Sequence, residues 1–311
     1  MTGEMQGYLL YALSLLSLGG IYAILALGLN LQWGMAGLFN AGIAGFFASG
    51  AYTAAILGTP PVAGRLGGFD LPMPVTVAAA ALFSAAIGWA VGRLCIRLRT
   101  DYLAIATIGI AEILRLIVRN EGWLTGGSLG ISGIVRPFDG LGPPRADIGY
   151  LAVVLGCLVL VYIFVERAGR SPWGRTMRAI RDDERAAAAL GKDVDAFRLQ
   201  AFALGSGIMG GAGALTAYYF RFLSPDATEP LLTTFLVWVM LIAGGSGNNR
   251  GAILGAFLVW TLWSSTELVT GRLPADWAAN LAYLRVLLIG LLLQVVLQRF
   301  AGGILPERAR R

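Results

Sequence analysis

Apolar runs of about twenty residues, the length a helix needs to cross a ~30 Å hydrocarbon core, recur along nearly the whole chain. A water-soluble fold has no interior large enough for them: 57% of the 311 residues are hydrophobic and 14% are charged, whereas an ordinary globular domain is roughly a quarter charged. The bilayer is therefore the solvent, and within it every backbone N–H and C=O needs a partner inside the protein. Runs rich in Gly and Ala, with no alternation of apolar and polar residues, meet that need as helices and not as a β-barrel. These features predict an all-α integral membrane protein, one polytopic helix bundle over residues 1–311.

Hydropathy over windows of about 19 residues places spans near 7–29, 34–57, 73–95, 101–119, 148–166, 199–221, 231–246, 251–270 and 281–298, about nine crossings. The stretch 28–50 is punctuated by Gly and Asn and reads equally as a broken or re-entrant pair of short helices, which makes the count roughly eight to ten. The first run is expected to be a true span and not a signal peptide, since residues 1–7 carry Glu4 and no basic residue. Arg93, Arg97, Arg99, the eight basic residues within 167–198, Arg250, Arg299, Arg308, Arg310 and Arg311 fall on one side; Arg65, Arg119, Arg136, Arg145 and Arg272 fall on the other. The positive-inside rule then puts the N-terminus outside and the C-terminus in the cytoplasm. Between the spans lie an external loop at 120–147, a short acidic external link at 224–230 and the longest polar stretch, a cytoplasmic segment at 167–198.

Several function classes are excluded by what is missing. The net charge of +6 suggests nucleic acid at first sight, but the cations sit at the ends of apolar runs and not along one basic face. Histidine is absent, and Cys95 and Cys157 each sit inside an apolar run as small hydrophobes, so no metal site, cofactor or His-dependent catalysis is expected. An intramembrane enzyme needs convergent catalytic groups at one depth, and a stand-alone secondary transporter or channel needs its own buried acids; only Glu112 qualifies, with Arg115 beside it. There is no G-x-x-x-x-G-K-[ST], and the Gly-rich stretch 244–251 (GGSGNNRG) lacks the phosphate-binding Lys and hydroxyl. If ATP drives this protein, another subunit hydrolyses it.

Polar groups inside spans cost a few kcal/mol on insertion scales, so each asks for a partner or a water-filled path. Glu112 and Arg115 share a helix face and read as a mutually neutralising pair or as part of a pathway. Asn30, Gln32 and Asn40 flank the Gly-rich break, either as interhelical hydrogen-bonding groups or as the polar wall of a translocation path. Glu267 and Arg285 are expected to snorkel to the interface. Gly205, Gly207, Gly210, Gly211 and Gly213 give a stripe of small residues that permits close helix approach.

In the cytoplasmic segment, Arg175, Arg178, Arg181 and Arg185 recur at helical spacing with Asp182, Asp183 and Glu184 among them, in Ala-rich sequence that favours a solvated helix over 174–191. It reads as a positive-inside linker, or as a docking helix whose apolar side, Met177, Ile180 and residues 186–190, fits a groove in a soluble partner.

Five blocks carry a family resemblance: residues 30–52 (NLQWGMAGLFNAGIAGFFASGAY), 98–116 (LRTDYLAIATIGIAEILRL), 124–134 (LTGGSLGISGI), 174–191 (GRTMRAIRDDERAAAALG) and the Gly-rich link 244–255. In this order the chain resembles the permease subunits of branched-chain amino acid ABC importers, of the LivM type, over most of its length. The resemblance implies an importer in a bacterial inner membrane, with a LivH-type second permease, two cytoplasmic ATPase subunits and an extracytoplasmic binding protein. It also implies that Gly174, Arg175, Arg178, Ala179, Ile180, Arg181, Asp182, Asp183 and Glu184 contact the ATPase. Asn40 stands where many relatives read Ser-x-Gly-His, and Ser128-Leu129 departs from the usual external motif. Similar permeases import urea or short amides, so the cargo stays open between these and branched-chain amino acids.

Overall fold

A computed structural model describes residues 3–62, 64–228, 230–270, 275–300 and 302–307. The chain enters through α1 (Gly3–Leu29), which runs without interruption into a π-helical turn, Asn30–Met35. Residues 36–42 leave the helix, with Gly37 at φ +69°, and α2 (Ile43–Gly58) follows. The break expected inside the second span thus lies before it. Asn30 and Gln32 belong to the extended end of the first helix, because a windowed hydropathy average runs straight across seven non-helical residues that are themselves largely apolar. At 16 residues α2 is about 24 Å long, short of the ~30 Å core, and most of its residues are buried within the protein.

Next come α3 (Met73–Cys95) and α4 (Thr100–Asn120), then α5 (Gly122–Thr125) and the two-residue strand β1 (Ile131–Ser132) in the loop expected at 120–147. After α6 (Arg145–Arg170) the chain turns through α7 (Pro172–Asp182) and α8 (Glu184–Ala189) into the long α9 (Val194–Phe220). β2 (Phe222–Leu223) pairs antiparallel with β1, tying the loop to the far end of α9. α10 (Pro230–Gly244), α11 (Asn249–Thr270) and α12 (Ala275–Arg299) complete the order. The other expected spans overlap helices, while the span expected at 34–57 is interrupted over residues 36–42. Among the described residues, three segments, Met5–Met35, Met73–Cys95 and Arg145–Arg170, are long and apolar enough to cross a membrane on their own.

α9 lies between α2 and α3, and glycines set the spacing. A Cβ at Gly50 of α2 would overlap the carbonyl of Gly210, and one at Gly213 would overlap the carbonyl of Phe47. On the α3 side, a Cβ at Gly207 would stand 3.0 Å from the carbonyl oxygen of Ala81. The small-residue stripe therefore does pack backbone against backbone, the contact that stabilises helix pairs where lipid is as apolar as any side chain. Hydroxyls add bonds across the same seams, Ser49 to Ser84 at 2.8 Å and Thr76 to Tyr218 at 2.6 Å. Around this core α1 packs on α6, α9 and α11, and its residues from Ile21 to Leu29 are buried apart from the half-buried Tyr22. The outward faces of α3, α4 and α6 stay apolar, as Leu82, Phe83, Ile105, Ile113, Leu155 and Leu160 show.

Candidate functional site

The three amides of the break are fully buried and form two chains of hydrogen bonds. Asn30 donates through Nδ2 to Asn249 Oδ1 at 2.8 Å, and its Oδ1 accepts from the backbone N–H of Gly247 at 2.8 Å. Asn249 in turn donates to Glu166 Oε2 at 2.8 Å, and Arg170 donates to the other oxygen of that carboxylate at 2.8 Å. Gln32 donates to the Phe202 carbonyl at 2.7 Å and to Ser206 Oγ at 3.2 Å; its own oxygen accepts from Asn40 Nδ2 at 2.8 Å. Asn40 Oδ1 accepts from the N–H of Gly42, and the Asn40 carbonyl accepts from Trp238 Nε1 at 3.2 Å. The break is so fastened to three other elements: to the α10–α11 turn by the Asn30 amide, to α9 by the Gln32 amide, and to α10 by the backbone carbonyl of Asn40. Gly34 and Gly205 leave room for the amides, since a Cβ at Gly34 would overlap Asn30 Oδ1 and one at Gly205 would stand 2.5 Å from Gln32 Cγ. In this conformation none of the three lines open space.

Glu112 and Arg115 lie apart from that network. They pair with each other on α4, Arg115 Nε donating to Glu112 Oε2 at 2.9 Å. α4 packs on α2 with Leu103, Thr107 and Ala111 buried, and a Cβ at Gly42 would strike Thr107 and one at Gly45 would strike Ala111. The charge pair sits to one side of that seam, with the carboxylate 42% exposed and apolar Ile108, Ile113 and Leu116 exposed around it. Glu267 and Arg285 lie outside the residues whose side chains are described.

The elbow between α6 and α7 is built by local rules. Ser171 caps α7, its Oγ accepting from the N–H of Gly174, and Pro172 occupies the first helical position, where its missing N–H costs nothing. Gly174 is required because a Cβ there would overlap the carbonyl oxygen of Ala168. The helix expected over 174–191 is broken: Asp183 adopts an extended conformation and caps α8, accepting from Ala186 N at 3.0 Å. Short polar side chains that can bond their own backbone favour such caps over helix interiors.

The apolar side expected over this segment is split. Met177 and Ile180 are 0% and 1% exposed, buried in the chain's own core, and Ala187 is buried with them. Arg175, Ala179, residues 182–186 and residues 188–191 are exposed. Of the expected apolar residues 186–190, only Ala187 faces inward. Arg178 donates to the Gly169 carbonyl at 3.0 Å, a cation on the C-terminal carbonyls of α6.

Arg181 reaches inward. Its Nη1 donates to the carbonyl of Gly34 in the π-helical turn and to Glu307 Oε2 at 2.9 Å, and its Nε donates to Asp182 at 3.0 Å. Burial works against its charge, but the carboxylates of Asp182 and Glu307 outweigh burial and raise its pKa above the ordinary value. One expected coupling residue, Arg181, is thus joined to the helix break that carries Asn30 and Gln32 through the carbonyl of Gly34, 147 positions away. Glu166, Asn249, Gly247 and Glu307, missed in the sequence, complete the arrangement; their only signal was polarity next to a Gly-rich turn or a span end.

At the opposite end of the bundle Arg136 is 5% exposed and holds the 120–147 loop. It pairs with Asp139 at 3.1 Å and Asp147 at 2.9 Å, stacks over Tyr150 at 5.3 Å, and Asp139 also takes Arg221 at 2.9 Å.

A family model described as the branched-chain amino acid transport system / permease component matches residues 11–297. The chain is 36% identical over 263 residues to the high-affinity branched-chain amino acid transport system permease protein LivM of Escherichia coli (strain K12), across 77% of this chain and 60% of that protein. It is 27% identical over 318 residues to the probable branched-chain amino acid transport permease protein LivM of Methanocaldococcus jannaschii, across 93% and 91%. It is also 27% identical over 211 residues to the autoinducer 2 import system permease protein LsrC of Yersinia pseudotuberculosis, across 65% and 57%. The chain thus spans about 60% of the length of the Escherichia coli relative. No solved structure matches it. A multi-pass bundle whose family model covers nearly the whole sequence belongs to the permease components of the branched-chain amino acid transport system.

Proposed function

We propose that this chain is the membrane-spanning subunit of an ABC importer for branched-chain amino acids, crossing a bacterial inner membrane about nine times with its N-terminus outside and its C-terminus in the cytoplasm. It works beside a LivH-type second permease, two cytoplasmic ATPase subunits and an extracytoplasmic binding protein that delivers the cargo. One observation carries the coupling assignment: α7, on an elbow outside the bundle, is bonded through Arg181 to the carbonyl of Gly34 in the helix break. A displacement of α7 by an ATPase therefore acts on the break directly.

The path itself is assigned to two places. The first is the break, where Asn30, Gln32 and Asn40 exchange their present hydrogen bonds for water or cargo when the bundle opens. The second is the face of α4 bearing Glu112 and Arg115, which meets the second permease, because a charge pair left in lipid costs a few kcal/mol. Glu112 is 42% exposed.

The test is uptake of labelled leucine by membrane vesicles containing this chain with its partner subunits, with and without ATP and binding protein. Uptake that needs both supports the reading. Urea uptake in place of leucine keeps the machine and changes the cargo, and transport by this chain alone overturns the ABC assignment.

A further inference from the structure

We propose that the C-terminal tail is a clasp, in which Glu307 positions Arg181 on the carbonyl of Gly34 so that the coupling helix and the helix break move as one body. Glu307 is a positioning residue; it acts through Arg181. The inference rests on the coupling role given to α7 above.

The tail is held independently of the residue it positions. Beyond α12, Ile304 donates its backbone N–H to Ala243 at 2.9 Å and Leu305 donates to Gly244 at 2.9 Å. Asn248 Nδ2 donates back to the carbonyls of Leu305 and Pro306 at 3.2 and 3.3 Å. Glycine makes the approach possible: Gly245, at φ +118°, and Gly303, at φ +80°, face one another with no space for a Cβ on either. Gly247, at φ +81°, lies against the Glu307 carboxylate, and a Cβ there would stand 2.7 Å from Oε2. Residues 302–307 are thus fixed to the α10–α11 turn by backbone bonds before Glu307 meets Arg181.

That turn is also the one that holds Asn30, through Gly247 N and Asn249. The break is gripped twice from one scaffold: directly, at Asn30, and through Glu307 and Arg181, at Gly34. Geometry at Arg181 leaves little slack, because its side chain lies against Gly37, where a Cβ would stand 3.1 Å from Cγ. A guanidinium whose Nη1 is shared between a carboxylate and a carbonyl keeps the second bond only while the first sets its direction.

The experiment compares wild type, Glu307→Gln and the exchange Arg181→Glu with Glu307→Arg in the assembled transporter in proteoliposomes. It reads leucine taken up per ATP hydrolysed, at equal amounts of co-purified ATPase. Glu307→Gln keeps the shape of the side chain and is expected to lower that ratio roughly tenfold, the equilibrium worth of one charge-assisted hydrogen bond. The exchange restores an ion pair but leaves a carboxylate, which cannot donate, beside the Gly34 carbonyl; it is expected to stay uncoupled. A ratio equal to wild type in Glu307→Gln, or full rescue by the exchange, overturns the clasp. Failure of wild type itself to couple ATP to uptake overturns instead the importer reading on which the clasp depends.

Discussion

Asn30 and Asn249, 219 positions apart, share a 2.8 Å hydrogen bond in the interior, and through it the end of the first helix is tied to the start of α11. Replacing Asn30 by Leu removes the acceptor of Gly247 N and the donor to Asn249 at once. Each buried polar group so orphaned costs about 1–3 kcal/mol. Asn30→Leu is expected to lower the unfolding temperature of the purified protein and to lower uptake more than it lowers expression. Loss of both in equal measure would confine Asn30 to packing.

Gln32 is a second lock from the same helix end, fastened to α9. Gln32→Leu leaves Asn40 Nδ2 without its acceptor while the Phe202 carbonyl and Ser206 can fall back on bonds within α9. The expected loss of stability is smaller than for Asn30→Leu, about 1 kcal/mol, with uptake again falling further than expression. Transport at the wild-type rate in a correctly inserted Gln32→Leu protein would remove this residue from the path.

The α2–α9 seam admits no side chain. Gly50→Val and Gly213→Val each drive a Cβ into a carbonyl of the facing helix, and overpacking of this kind costs about 1–3 kcal/mol or more. Both are expected to reduce folded protein in detergent, measured by size-exclusion profile and thermal unfolding, whereas Gly156→Val, at a position with open space around it, is expected to leave both readings near wild type.

Removing one charge from α4 strands the other. Arg115→Ala leaves Glu112 without its ion-pair partner, and expression is expected to drop; the double change Glu112→Gln with Arg115→Gln is expected to restore expression. Uptake that stays low in the double variant would support a pathway role for the pair, and uptake restored with expression would leave it as a neutralising pair only.

Charge reversal at the elbow tests force transmission. Arg178→Glu with Arg181→Glu puts carboxylates beside the carbonyls of Gly169 and Gly34, which repel them. ATP hydrolysis should continue without uptake, in a complex still present in the membrane. Undiminished uptake in that protein would end the coupling assignment.

The apolar, helical character of the bundle was readable from hydropathy because run length is a one-dimensional quantity, and the Gly- and Asn-rich stretch announced a break. Its position was not readable: residues 36–42 are as apolar as the helices around them, and only the three-dimensional partners of Asn30 and Gln32 show on which side of the break each lies. The amphipathy of 174–191 was likewise visible, yet Met177 and Ile180 turn toward this chain and not toward another protein, a choice set by Gly174 and the elbow and absent from any periodicity. Glu166 and Glu307 could not be singled out, since their partners Asn249 and Arg181 lie 83 and 126 positions away.

The glycine seam has a mechanical consequence. Helices that meet through side chains can slip by exchanging rotamers, but where Gly50 and Gly213 bring backbone onto backbone there is no compressible layer to yield. α2, α9 and α3 therefore form a stator. Whatever stroke the transport cycle makes is expected to leave these three helices in register and to be taken up elsewhere in the bundle.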